Sequence, residues 1–105
     1  MNQIISTEAS NMLNAGSKMV VLDVRTPGEF NGGHIVNAVN IDIHQPDAFL
    51  KIDNLDKNAK YLVHCRTNHR SKMAVDHMAQ SGFKVIYQMS DGMLGWQENN
   101  LPVVK

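Results

Sequence analysis

Cys65 lies in the segment of the chain whose residue types and spacing point most directly to covalent chemistry. It follows the apolar run Tyr-Leu-Val-His and precedes Arg-Thr-Asn-His-Arg-Ser over residues 66–71. From Lys57 to Lys72 basic residues recur, and no Asp or Glu interrupts them. Positive charge and unpaired N–H groups at a helix N-terminus favour a thiolate or a bound anion. We therefore expect Cys65 to be a nucleophile; a buried, inert cysteine at a strand end is the alternative.

Two histidines beside the cysteine, His64 and His69, raise the possibility of a cysteine protease or a metal site. A protease needs a histidine base that a third group orients, and zinc needs four ligands in a tetrahedral set. One cysteine and two histidines supply neither pattern, and a single cysteine cannot form an internal disulfide. We expect no metal and no cofactor.

The elements around this segment follow from hydrophobic periodicity. Short apolar runs alternate with helix-like segments, which predicts an α/β fold, and the nearly continuous apolar run 19–24 is typical of a parallel strand covered on both faces. The predicted strands are 3–5, 19–24, 38–41, 61–64 and 84–87. The predicted helices are one from Ser6 that stops at Gly16, then 28–31 after the Thr26 cap and Pro27, 46–52, 71–81 and 93–99. Cys65 then stands at the carboxyl end of a parallel strand, where such folds carry their functional loops.

Composition narrows the class of protein. A chain of 105 residues predicts one domain over residues 1–105. Ten basic and ten acidic residues give no overall field for nucleic acid or an anionic membrane. The sequence contains neither a signal peptide pattern nor a membrane-spanning apolar run, so we expect a cytoplasmic protein, and we expect a monomer.

Several motifs in a fixed order carry a family resemblance. They are LDVRTPGEF over 22–30, GHI over 33–35, AVNI over 38–41, CRTNHRS over 65–71 and DGMLGW over 91–96. Together they resemble the single-domain rhodanese family, over about residues 4–103. Four positions depart from the usual pattern: Asn37 and Asn68 stand where glycine is frequent, His69 where asparagine is frequent, and Gly95 where alanine is frequent. We expect Asn68 to adopt a left-handed backbone conformation, because asparagine adopts it more readily than most other non-glycine residues.

The resemblance implies a rhodanese-like domain, with a twisted parallel sheet flanked by helices on both faces. It also implies a sulfurtransferase in which the catalytic Cys65 takes a sulfane sulfur from a thiosulfate-like donor as a persulfide and passes it to cyanide or a thiol. The expected substrate-binding residues are those of the loop, with Arg70 facing inward: Arg66, Thr67, Asn68, His69 and Arg70. Asp23 and Arg25 are expected to brace neighbouring loops, Glu29 to pair with an arginine, and His34 to form a loop hydrogen bond.

Two rival functions use the same cysteine. The first is a persulfide carrier in a sulfur relay, which would receive sulfur from one partner protein and donate it to another. The second is a cysteine-dependent phosphatase or arsenate reductase, which also places a thiolate and an arginine on an anion-binding loop. Those enzymes have C-x5-R spacing, whereas Cys65 and Arg70 have C-x4-R spacing. The shorter loop favours sulfur chemistry.

Overall fold

A five-stranded parallel sheet forms the centre of the computed structural model, which describes residues 2–105. The strands are β1 (Asn2–Ile4), β2 (Met19–Asp23), β3 (Val39–Asn40), β4 (Lys60–His64) and β5 (Val85–Met89). The helices are α1 (Ser6–Asn14), α2 (Pro27–Asn31), α3 (Ala48–Asp53), α4 (His69–Gln80) and α5 (Gly92–Glu98). The strand order is β1-β5-β4-β2-β3, and every pairing is parallel. The predicted α/β fold with a parallel sheet is confirmed.

Both faces of the sheet are covered, which explains the nearly continuous apolar runs of its central strands. In β4, Tyr61 and Val63 point into one apolar cluster with residues of α4, and Leu62 points into a second cluster with residues of α1 and α5. Side chains alternate between the faces of a strand, so a strand covered on both faces needs apolar residues at every position. β4 ends at His64, and both His64 and the following residue, Cys65, are buried.

α4 begins at His69, two residues before the predicted start at Ser71. The carbonyl of Asn68 accepts the N–H of Lys72 at 3.0 Å, and this bond opens the helix inside the basic loop. Arg70 consequently lies in the first helical turn. Helical periodicity predicts that Ala74, Val75, Met78 and Ala79 form the buried stripe of this helix. That prediction is wrong for Ala79, which is exposed: the buried stripe consists of Ser71, Ala74, Val75 and Met78.

The single tryptophan of the sequence, Trp96, is predicted to pack the last helix onto the sheet, and it does fix α5 there. The indole is 2% exposed, packs in the second cluster and donates its N–H to the carbonyl of Pro102 at 2.9 Å. Within residues 2–105, no helix has both the length and the apolar character needed to cross a membrane.

Asp91 connects the start of α5 to the start of α1. Its carboxylate accepts the backbone N–H of Ser6 at 2.9 Å and the Ser6 hydroxyl at 2.7 Å. A Cβ atom added to Gly95 would overlap this carboxylate. The aspartate therefore accounts for glycine at a position where alanine is frequent in the family that the sequence resembles.

Candidate active site

Cys65 immediately follows β4, between the ends of β2 and β5. The residue is 1% exposed, whereas the next four, Arg66–His69, are exposed. The thiol thus lies beneath an exposed loop that runs from the end of a central strand to the first turn of α4.

Three carbonyls of this loop are held by hydrogen bonds from outside it. The N–H of Met93 donates to the Cys65 carbonyl at 2.8 Å, and the N–H of Leu94 donates to the Arg66 carbonyl at 2.9 Å. The carbonyl of Asn68 accepts from the Lys72 N–H and from the Ser71 hydroxyl, each at 3.0 Å. In a trans peptide the N–H points opposite to the C=O, so holding these oxygens also orients the N–H groups of residues 66, 67 and 69.

The loop's own N–H groups are unused. Within residues 2–105, none of the backbone N–H groups from Arg66 to Arg70 donates a hydrogen bond to a protein atom. Successive unpaired N–H groups leading into a helix N-terminus form a positively polarised surface that suits an anion. The cysteine loop therefore combines a sulfur nucleophile with donors free to bind negative charge.

Arg70 closes the loop through an ion pair with Glu29 of α2. Its two terminal nitrogens donate to the two carboxylate oxygens at 2.6 and 2.9 Å. The hydrogen bond from Arg70 lowers the pKa of Glu29 to about 2. The pKa of Arg70 is raised, first by the hydrogen bond to Glu29 and also by its charge interactions with Glu29 and Cys65. The Arg70 guanidinium thus pairs with Glu29 and also places positive charge near the Cys65 thiol.

Arg66 differs in its pairing from Arg70 and Lys72, the two basic residues that follow it. Lys72 pairs with Asp76 at 3.1 Å and Arg70 pairs with Glu29, while Arg66 has no ion pair among residues 2–105. Arg66 lines an open cleft of about 200 Å³ between α2 and α5, together with Arg25, Leu94 and Gln97. It is the cation of this loop that is available to a ligand.

Two further loop residues, Thr67 and His69, are exposed, and their side chains form no hydrogen bond within the described chain. The expectation of a left-handed Asn68 is wrong: Asn68 is the N-cap of α4, and its φ is −145°. Asn37, the other asparagine at a position where glycine is frequent, does adopt a left-handed backbone, with φ at 65°.

Asp23 and Arg25 form a buried ion pair behind the loop. Nε and a terminal nitrogen of Arg25 reach the Asp23 carboxylate at 2.8 to 3.1 Å, and the same terminal nitrogen donates to the Gly33 carbonyl at 2.8 Å. The Asn40 amide donates to both backbone carbonyls of the pair, at 3.0 and 2.9 Å. This arrangement joins the ends of β2 and β3 to the segment after α2.

Both histidines near this pair have structural surroundings. His34 stacks on Phe30 with ring centroids 3.7 Å apart, and its Nδ1 lies 2.8 Å from the Phe30 carbonyl. His64 is fully buried, and this burial lowers its pKa despite the Asp23 carboxylate 3.7 Å away. Its Nδ1 lies 3.2 Å from the Cys65 carbonyl. Neutral His64 therefore helps hold the backbone of the cysteine.

Two residues near the loop were not predicted. Gly92, with φ at 62°, lies against the loop so closely that an added Cβ would overlap the carbonyl oxygens of Arg66 and Thr67. Gln88 of β5 is buried and donates to Asn68 and Ser71. The sequence signal for Gln88 was its polar side chain within the apolar run of a strand that is covered on both faces. Nothing in the isolated sequence indicated that Gly92 meets the loop.

Comparisons with known proteins agree with this arrangement. The family model described as Rhodanese-like domain matches residues 6–99. A sulfurtransferase of Allochromatium vinosum is 26% identical over 98% of this chain and 94% of its own length. A thiosulfate sulfurtransferase, GlpE of Stutzerimonas stutzeri, is 31% identical over 86% of this chain and 79% of its own.

The fold gives the same result. The crystal structure of a rhodanese-related protein from Thermoplasma volcanium superposes with a TM-score of 0.87 at 32% identity, covering 99% of this chain and 98% of that one. With its parallel sheet, its cysteine loop and a family match over nearly its whole length, the chain belongs to the family of rhodanese-like domains.

Proposed function

We propose that the protein is a sulfurtransferase that moves a sulfane sulfur from thiosulfate, or a similar persulfide donor, through a persulfide on Cys65. The observation that supports this most directly is the loop over the thiol, whose N–H groups from Arg66 to Arg70 have no hydrogen-bond partner among residues 2–105. The family supplies the class of reaction, and the loop supplies the place for an anionic donor.

In the first step the Cys65 thiolate attacks the outer sulfur of thiosulfate. A new S–S bond forms to Cys65, the bond from that sulfur to the sulfonate breaks, and sulfite leaves with the bonding electron pair. The loop N–H groups and the free Arg66 guanidinium hold the sulfonate oxygens and then the negatively charged terminal sulfur. Arg70, held by Glu29, adds positive charge beside the thiolate.

In the second step a nucleophilic acceptor, cyanide or a thiol, attacks the terminal sulfur of the persulfide. The S–S bond to Cys65 breaks, and the electron pair returns to the cysteine as a thiolate. Cyanide leaves as thiocyanate, and a thiol leaves as a new persulfide. The donor, Cys65 and the acceptor supply every electron pair, so this chemistry requires no cofactor.

Intact mass spectrometry tests the first step. Wild-type protein incubated with thiosulfate should gain one sulfur atom and lose it on reduction with dithiothreitol. Cys65→Ser should stay folded, because the change is nearly isosteric, and should gain nothing. Sulfur uptake that persists in Cys65→Ser would rule out the mechanism, because the chain has a single cysteine.

Steady-state assays separate the proposal from its rivals. Thiocyanate formation from thiosulfate and cyanide should be multiple-turnover. A stoichiometric persulfide without turnover would favour the relay carrier. Efficient hydrolysis of an aryl phosphate would favour the phosphatase and would mean that the C-x4-R loop does not exclude a phosphoryl group.

A further inference from the structure

Gln88 is a buried polar residue inside β5, whose neighbours Ile86 and Met89 are buried and apolar. Its side-chain Nε2 donates to the Asn68 carbonyl at 3.2 Å and to the Ser71 hydroxyl at 3.1 Å. Its Oε1 is buried and has no hydrogen-bond partner among the described residues. A buried carbonyl oxygen without a donor lowers stability, so an apolar side chain would suit this strand better.

The two partners of Gln88 do not depend on it for their own hydrogen bonds. The Ser71 hydroxyl donates to the Asn68 carbonyl at 3.0 Å, and the Lys72 N–H donates to the same carbonyl. Removing Gln88 would therefore leave both partners satisfied and would also remove the unpaired Oε1. The stability of the fold does not account for this glutamine.

The geometry at Asn68 suggests what Gln88 does. Three donors converge on one carbonyl oxygen, from Lys72, Ser71 and Gln88, and the donor from Gln88 comes from β5, beside the central strand of the sheet. Because the peptide is planar and trans, turning this oxygen toward the sheet turns the N–H of His69 the opposite way. The His69 N–H is one of the loop donors that have no protein partner.

We propose that Gln88 is a positioning residue for sulfur transfer, which fixes the Asn68–His69 peptide so that its N–H faces the sulfur anion over Cys65. This inference rests on the sulfurtransferase function proposed above. Gln88 does not touch the reacting atoms. It limits rotation of one peptide group, so that the donor is oriented before charge develops on sulfur.

Gln88→Leu tests this role, with Gln80→Leu on the exposed end of α4 as the matched control. We expect the melting temperature of Gln88→Leu to be no lower than that of wild type. We expect its kcat/KM for thiosulfate to fall about ten- to a hundredfold, the scale of a misplaced donor to a developing charge. Alkylation of Cys65 by iodoacetamide should move to higher pH. Gln80→Leu should change none of these measurements.

Gln88→Glu provides a second measurement, made only at pH values where its circular dichroism spectrum matches that of wild type, so that unfolding caused by a buried carboxylate does not contribute. A protonated carboxyl donates an O–H to the Asn68 carbonyl, and an ionised one cannot. The activity of Gln88→Glu relative to wild type should therefore rise as the pH falls. If Gln88→Leu fails to fold, the pH dependence of Gln88→Glu activity still tests the positioning role.

Wild-type kcat/KM and a wild-type alkylation profile in Gln88→Leu would overturn the proposal. So would a pH-independent activity ratio for Gln88→Glu. The alkylation arm needs no sulfur donor, so it still reports on Gln88 if wild type takes up no sulfur from thiosulfate. In that case the proposed function fails and the positioning role is judged separately.

Discussion

Glu29 serves two parts of the site at the scale of a single residue. Its Oε1 accepts the N–H and the hydroxyl of Thr26, each at 3.1 Å, which closes a capping box at the start of α2. The same oxygen accepts Arg70 at 2.6 Å. A side chain that caps one helix therefore also holds the arginine of the cysteine loop, and its ionisation matters for both.

The pH dependence of stability should report this pair. The folded pKa of Glu29 is lowered from 4.5 to about 2, so its contribution is fully present above about 4.5 and is lost as the pH falls toward 2. We expect Glu29→Gln to lower stability at neutral pH by about 1 kcal/mol, because solvent screens a partly exposed pair. The difference from wild type should shrink between pH 4.5 and 2.

Thermal unfolding of wild type and Glu29→Gln across this pH range measures how the difference in stability changes with pH. Glu98→Gln, an exposed glutamate of α5 without an ion pair among the described residues, is the control. A wild-type advantage that stays constant down to pH 2 would contradict a contribution from the ionised carboxylate.

The residues of the site differ in how far sequence could predict them. The basic loop after an apolar strand indicated Cys65 and its neighbours, and the T-x-x-E spacing carries the signal for the Glu29 cap. The pairing of Glu29 with Arg70 joins residues 41 positions apart, and sequence offered it only as one choice of arginine. Gln88 was missed because its partners depend on how α4 starts. Sequence pattern also predicted that start two residues late.

At the scale of elements, α5 controls the loop through its first turn. Gly92 packs against the carbonyls of Arg66 and Thr67, and the next two N–H groups of α5 bind the carbonyls of Cys65 and Arg66. The loop conformation therefore depends on a helix that follows it by more than twenty residues.

Gly92→Ala should damage the site, and Gly82→Ala is its control. Both glycines have positive φ, 62° and 89°, so alanine should cost roughly 1 to 2 kcal/mol of backbone strain at either position. An added Cβ meets nothing within 4 Å at Gly82, whereas at Gly92 it meets the loop backbone. We expect sulfur uptake from thiosulfate to be lost in Gly92→Ala alone, as measured by intact mass. Equal uptake in the two variants would mean that α5 does not set the loop.

At the scale of the whole molecule, the first strand lies at one edge of the sheet, beside the last strand. β1 pairs with β5, with Asn2 opposite Tyr87 and Ile4 opposite Met89. The Ser90 N–H donates to the Ile4 carbonyl at 2.9 Å, and Asp91 holds both the N–H and the hydroxyl of buried Ser6. Residues 2–6 are therefore attached to the last strand and helix.

Asp91→Ala should weaken this attachment. It leaves the buried Ser6 N–H and hydroxyl without their charged acceptor, and we expect a loss of ~1.5 to 3 kcal/mol in the free energy of unfolding. Asp47→Ala, which removes an exposed carboxylate 3.6 Å from Lys51, should change it by less than about 1 kcal/mol. Denaturant unfolding measures both variants. Hydrogen exchange should accelerate first in residues 2–6, and uniform acceleration across the sheet would contradict a local anchor.

The sequence could predict the fold class and most of the strands and helices, but not the order of the strands in the sheet. Apolar runs covered on both faces indicated parallel strands, and glycines and caps placed most helices within a few residues. No local pattern indicates that β1 lies beside β5, because that choice depends on packing between segments separated by about eighty residues. The same separation hid the contact between Asp91 and Ser6, which explains Gly95.

The edge position of β1 also has a consequence for biosynthesis. β1 is translated before its partner strand, residues 85–89, so it has no strand to pair with until about eighty more residues have been made. The loop after Cys65 likewise lacks the N–H groups of Met93 and Leu94 until those residues have been translated. The site therefore forms only after β5 and the first turn of α5 have been made, although its cysteine lies well before them in the chain.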